Sequence, residues 1–144
     1  MRTLRIAVAV TAALILASCG GSAGGVPSPR ASPSITGPRP SSTAVLTIES
    51  PSNGEVVHGG TVRLVVSLDG AELVQAASTT LRPDQGHLHV SVDDTLVSMT
   101  NGTEQTIPDL APGVHLIKVE FVANDHGPFD PRVISAVSVR VQGS

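Results

Sequence analysis

Residues 44–142 predict a single all-β domain, an antiparallel sandwich, and three observations carry that reading. Apolar residues recur at every second position through most of the segment, which is the period of a half-buried strand. Turn signals punctuate it every eight to twelve residues or so, the spacing that the short strands of a sandwich require. No stretch holds a convincing helical period, and no internal repeat is visible.

The elements follow in order. Ala44 to Glu49 reads as the first strand, turned by Pro51-Ser52-Asn53-Gly54. Thr61 to Leu68 is the next, with Val62, Leu64, Val66 and Leu68 on one face and Asp69-Gly70 closing it. Ala71 to Gln85 is ambiguous: Glu72 to Ala77 has the pattern of a helical turn, and Pro83 breaks whatever precedes it. Gly86 to Val92 is a strand with Leu88, Val90 and Val92 in phase, and Asp93-Asp94 turns it tightly into Thr95 to Met99. Asn101-Gly102 predicts a hairpin, because both residues tolerate positive φ, and Thr103 to Ile107 returns from it. Beyond Pro108 and Pro112, Val114 to Val122 and Arg132 to Val141 form two long final strands.

Ahead of this domain lie two segments of different character. Arg2 and Arg5 precede an apolar run ending in Leu16-Ala17-Ser18-Cys19, the charge, hydrophobic stretch and small residues of a secretory signal spanning residues 1–18. Ile6 to Ala17 is too short for a spanning helix, which needs roughly 17–25 apolar residues. Leu16-Ala17-Ser18-Cys19 resembles the bacterial lipobox. That resemblance implies diacylation (palmitate) of Cys19, which becomes the mature N-terminus, and a lipid anchor on the extracytoplasmic face of a bacterial membrane. Residues 19–43 then read as a lipidated Cys and a flexible tether, nearly all Gly, Ser, Pro, Ala, Thr and Arg. Such a composition buries too little to offset its ordering entropy, and Pro27, Pro29, Pro33, Pro38 and Pro40 favour an extended spacer. Arg30 and Arg39 belong to this spacer.

Composition narrows the function. Without residues 1–18, seven basic residues face 12 acidic ones, a mature charge of −5, which argues against nucleic acid as a partner. Phe121 and Phe129 are the only aromatic residues, so the stacking platforms of sugar-binding and single-strand-binding modules are missing. Cys19 is the only cysteine, so no intramolecular disulfide forms.

Two resemblances cover most of the domain. Leu46-Thr47-Ile48-Glu49-Ser50-Pro51-Ser52-Asn53-Gly54-Glu55-Val56-Val57-His58-Gly59-Gly60-Thr61-Val62-Arg63-Leu64 resembles the opening of bacterial Ig-like domains, and Leu110-Ala111-Pro112-Gly113-Val114-His115-Leu116-Ile117-Lys118-Val119 resembles their penultimate strand. Gly86-His87-Leu88-His89 and Asn124-Asp125-His126-Gly127-Pro128-Phe129-Asp130-Pro131-Arg132-Val133-Ile134-Ser135 are similar to small bacterial domains with a Gly-His-rich strand and a late Asp-His loop. The first resemblance implies a single immunoglobulin-like antiparallel β-sandwich, here without the usual Cys pair and buried Trp. The second implies no function.

Histidines are the only candidates for chemistry. In an immunoglobulin-like topology the strand holding His87 pairs antiparallel with Val114–Val122. The start of one then lies beside the end of the other, bringing His87 and His89 near Asp125 and His126. Two His at i and i+2 of a strand share a face, so His87, His89 and His126 form a candidate site for Zn²⁺ or Cu²⁺, with Asp125 or Asp84 as a fourth ligand. The plainer alternative leaves His87 and His89 as solvated strand residues opposite the core face of Leu88, Val90 and Val92, and gives His126 only a loop carbonyl to bond. His115 shares phase with Ile117, Val119 and Phe121 and reads as a core or rim residue bonded to backbone. His58 sits in a Gly-rich turn, and Asp109 and Asp130 beside prolines read as turn residues. Met99, at the end of the following strand, argues against a His/Met copper pair.

Ser135, His126 and Asp125 supply the residue types of a hydrolytic triad, but no nucleophile-elbow motif accompanies them. The sequence therefore predicts no enzyme. It predicts a lipid-anchored binding or structural module that contacts an envelope or extracellular protein through loops or a sheet edge. The alternative is a Zn or Cu lipoprotein using His87, His89 and His126.

Overall fold

The computed structural model describes residues 37–75 and 80–143. The signal segment, Cys19 and the tether up to residue 36 lie outside the described residues, as do Ala76 and Ala77. In chain order the strands are β1 (Val45–Ser50), β2 (Glu55–His58), β3 (Val62–Asp69), β4 (Glu72–Leu73), β5 (Gln85–Val92), β6 (Thr95–Thr100), β7 (Glu104–Ile107), β8 (Gly113–Ala123) and β9 (Pro128–Gln142).

Period-two alternation in these strands builds two facing layers. Sheet one has the order β1-β3-β7, and sheet two the order β2-β9-β8-β5-β4, with β6 also on β5. Leu46, Ile48, Val62, Leu64, Val66 and Ile107 of sheet one bury against Leu88, Val90, Val92, Ile117, Val119 and Phe121 of sheet two. Each such side chain contributes about 1.5–3 kcal/mol on leaving water. Phe121 and Phe129 stack at 5.2 Å between centroids and are almost fully buried, so both aromatic residues serve the core.

Local chemistry sets the turns. Asp93 and Asp94 both take positive φ (50° and 64°), the two-residue hairpin whose twist matches the flanking strands. Asp93 then accepts the Leu116 amide at 2.9 Å, and Asp94 accepts the Lys118 ammonium at 2.7 Å.

Three expectations change. Asn101-Gly102 turns the chain but joins no hairpin: β6 pairs with β5 while β7 pairs with β3, so the turn is a corner between sheets. Glu72 and Leu73 are not helical but form β4, parallel to β5. Glu55–His58, given no strand from the sequence and including the His58 read as turn, is a strand parallel to β9. Asn53 and Gly54 explain that pairing. The Asn53 side chain accepts the Ser138 amide at 2.9 Å, the Gly54 amide donates to the Ser138 carbonyl at 2.7 Å, and Gly54 takes φ +82°.

The compact unit begins at Gly37, ahead of the expected boundary at residue 44. Arg39 and Pro40, read as spacer, bond to the β8–β9 loop and the start of β9: Arg39 Nε donates to the Pro128 carbonyl at 2.7 Å, and the Asp130 amide donates to the Pro40 carbonyl at 3.0 Å.

Candidate metal centre

β5 and β8 pair antiparallel with Gly86 opposite Ala123 and His87 opposite Val122, so the start of β5 meets the end of β8. Leu88 and Val90 take the inner face; His87 and His89 take the outer one, partly buried. Gly86 permits this approach. A Cβ there would lie 2.0 Å from the Val122 carbonyl oxygen and 2.9 Å from the Phe121 ring.

The loop after β8 supplies the third imidazole. The His126 amide donates to the Ala123 carbonyl at 2.9 Å and the Ala123 amide to the Gly127 carbonyl at 3.0 Å, a tight connection that places His126 at φ +63°. Left-handed backbone at a non-glycine residue is uncommon and is stored strain. Arg39 holds this loop: its guanidinium donates to both Asp125 carboxylate oxygens at 2.6 and 2.9 Å, and Asp125 also accepts the Gly127 amide.

The result is a convergence of ring nitrogens. His87 Nε2 lies 3.1 Å from His89 Nε2 and 3.0 Å from His126 Nδ1, and all three donor atoms fall within 4.8 Å of one another. Three nitrogens bound to one ion at about 2.0–2.1 Å would be about 2.9–3.4 Å apart. A neutral imidazole nitrogen carries one proton or one lone pair. His87 Nε2 therefore cannot make in-line hydrogen bonds to both neighbours at once, whereas one cation accepts all three lone pairs.

Electrostatics disfavour charge on the two strand histidines. Burial, followed by His126 and His89, pushes His87 down to about 4. His89 is also lowered, by burial first and then by His126, with Glu120 acting in the opposite direction. Glu120 stands opposite His89 in the register and is itself occupied by Arg132 in a two-pronged ion pair.

No family model matches the chain, and no curated protein matches it. Among solved structures, the chain is similar to the fibronectin(III)-like modules of Clostridium thermocellum CbhA, with a TM-score of 0.50 and 22% identity over 67% of this chain and 94% of that one. The fold is an immunoglobulin-like sandwich. Other matches include the endo-β-1,4-mannanase from Thermotoga petrophila (TM-score 0.46, 15% identity, 70% of this chain and 20% of that one) and the PKD domain of human KIAA0319 (TM-score 0.43, 13% identity, 77% and 91%).

Within this immunoglobulin-like sandwich, His87, His89 and His126 come together at one end of the β5–β8 pair, and the two suggested carboxylates do not join them. Asp125 is committed to Arg39, and Asp84 pairs with Arg82 at 3.2 Å. Ser135 Oγ accepts the Ile48 amide at 3.2 Å, so with Asp125 held by Arg39 the three residue types of a triad are not wired together. His115 sits at the rim, with Nε2 2.8 Å from the Ala111 carbonyl and Nδ1 2.7 Å from Asp93. His58 is exposed at the end of β2.

Met99 departs from expectation. It lies directly opposite His89 in the β5–β6 register and, with His87, His126, Thr100 and Asn101, lines an open depression of about 200 Å³. The Asp93-Asp94 turn signals that β6 returns along β5 but not this register: an unbroken two-residue hairpin would set Met99 opposite Leu88, and a bulge between Val90 and Ser91 shifts it by one residue to face His89. Arg39 has no such signal, being 86 residues from its partner Asp125.

Proposed function

We propose that this chain is a lipid-anchored, extracytoplasmic immunoglobulin-like module that binds a transition-metal ion through His87, His89 and His126, and that it is not an enzyme. The observation that carries this reading is the approach of two ring nitrogens to His87 Nε2 at 3.0 and 3.1 Å. Two features support it: protonation of His87 and His89 is disfavoured by burial, and the His126 backbone is strained where it brings its ring in. All-nitrogen donor sets suit Zn²⁺ or copper. The anchor rests on the Leu16-Ala17-Ser18-Cys19 motif.

The test is calorimetric titration of the full chain, carrying Cys19→Ser to remove its only thiol, with Zn²⁺ and Cu²⁺. Micromolar or tighter binding is expected, raising stability by about 2.7 kcal/mol at a hundredfold excess over Kd. The His87→Ala/His126→Ala double variant should lose both effects. A wild type indifferent to both metals refutes the reading.

A second reading, contact with an envelope protein, is favoured by β6. This strand exposes Leu96, Val97 and Met99 at 48%, 48% and 57%, and unpaired apolar edges are templates for strand addition. Crosslinking from Val97 on intact cells tests it: adducts confined to the chain's own lipid surroundings count against a protein partner.

A further inference from the structure

The donor set around the three histidines is unusually soft. Among the described residues the nearby carboxylates are taken: Asp125 serves Arg39, Glu120 serves Arg132 and Asp84 serves Arg82. What does stand beside the imidazoles is a thioether. Met99 is paired with His89 across β5 and β6, which sets the two Cβ atoms about 4.5–5.5 Å apart on one face. It lines the same depression as His87 and His126. It is 57% exposed and takes no part in the core, so packing gives no reason for a methionine there. Three rotatable bonds let its sulfur swing toward the ring nitrogens.

We propose that Met99 completes the histidine site with a thioether ligand and makes it a site for monovalent copper. This rests on the reading of His87, His89 and His126 as metal ligands and goes on to name the ion. Thioether sulfur is a soft donor that selects Cu(I), while a hard or borderline dication gains little from it. Charge acts the same way. Three neutral imidazoles and a neutral thioether bring no anion to offset a dication taken partly out of water, and a monocation carries a smaller desolvation cost. The site opens to solvent on the outer face of sheet two, so a bound ion remains accessible for transfer.

The experiment is anaerobic competition for Cu(I) against the chromophoric chelator bicinchoninate, run beside a Zn²⁺ titration. The full chain carries Cys19→Ser throughout, so that the sole thiol does not capture copper. Met99→Leu, which keeps size and apolarity at an exposed position, should weaken Cu(I) binding roughly tenfold or more and leave Zn²⁺ affinity within about twofold. His87→Ala should lose both ions. A sulfur scatterer in the copper K-edge fine structure should be present in the wild type and absent in Met99→Leu. Equal Cu(I) affinity in wild type and Met99→Leu, or Zn²⁺ binding without Cu(I) binding, overturns the thioether and leaves the histidine site standing. A wild type that binds neither ion overturns both.

Discussion

Replacing His126 separates the fold from the site. His126 holds φ +63° in the β8–β9 connection, a conformation costing an L-residue about 1–2 kcal/mol that glycine adopts freely. Its ring contact to His87 at 3.0 Å contributes about 1 kcal/mol in the metal-free domain. His126→Ala keeps the backbone strain and loses the contact, so it should destabilise by about 1 kcal/mol. His126→Gly loses the same contact and relieves the strain, so it should match or exceed the wild type and lie about 1 kcal/mol above the alanine variant. For a domain of this size that difference is about 4–8 °C in Tm. The chain has no Trp or Tyr, so calorimetry with and without saturating Zn²⁺ is the assay of choice. Neither variant should show the metal-induced rise in Tm. Coincident melts for the two variants would falsify the strain argument, and a metal-induced rise surviving in either would remove His126 from the ligand set.

Three further outcomes follow from the same geometry. Gly86→Ala places a Cβ 2.0 Å from the Val122 carbonyl oxygen; overpacking of this kind should cost about 1–3 kcal/mol by denaturant titration and weaken metal binding, and an unchanged midpoint would show that β5 and β8 separate freely. Arg39→Ala leaves the partly buried Asp125 carboxylate without its 2.6 and 2.9 Å donors; a loss of about 1–2 kcal/mol is expected, with lower metal affinity because the His126 loop is released, and an affinity equal to wild type would mean that the loop holds itself. For pH, His115 offers both ring nitrogens to acceptors, the Ala111 carbonyl and then Asp93, so only the doubly protonated ring satisfies both and its pKa is raised. Its contribution to stability is then complete below the unfolded value of about 6.5 and fades as pH rises through the folded value; the stability gap between wild type and His115→Gln should narrow across that window, and a gap that widens with pH would reverse the assignment.

How much of this was written in the chain depends on the range of the interaction. Alternation exposed both layers of the core, because Leu88, Val90 and Val92 or Ile117, Val119 and Phe121 need only a period of two to share a face. The same period set His87 and His89 opposite that core, and the antiparallel pairing of β5 with β8 brought His126 to them. Parallel pairings escaped because their signals are not local: β2 on β9 is fixed by Asn53 reaching Ser138, 85 residues away. Asn101-Gly102 misled for a related reason, since a turn dipeptide states where the chain bends and not which sheet receives the next strand. Arg39 was hidden by composition, one cation in a Pro- and Ser-rich stretch whose partner lies across the domain.

That division of labour bears on how the site can vary. The histidines occupy the outer phase of β5 and a loop, while every large fully buried side chain belongs to the inner phase or to the strand ends. Substituting His87 or His89 therefore removes no core volume and loses only the ring contacts each makes, about 1 kcal/mol apiece. Gly86 and Arg39 are different, because each supports the fold and places a ligand: Gly86 by letting two strands close, Arg39 by pinning the loop that carries His126. A site built this way can lose its ion chemistry through its ligands at little structural cost, whereas changing its supports disturbs metal affinity and stability together. Measuring both quantities for His89→Ala and Arg39→Ala distinguishes the two classes: affinity should fall in each, and the midpoint of unfolding should fall further in the second.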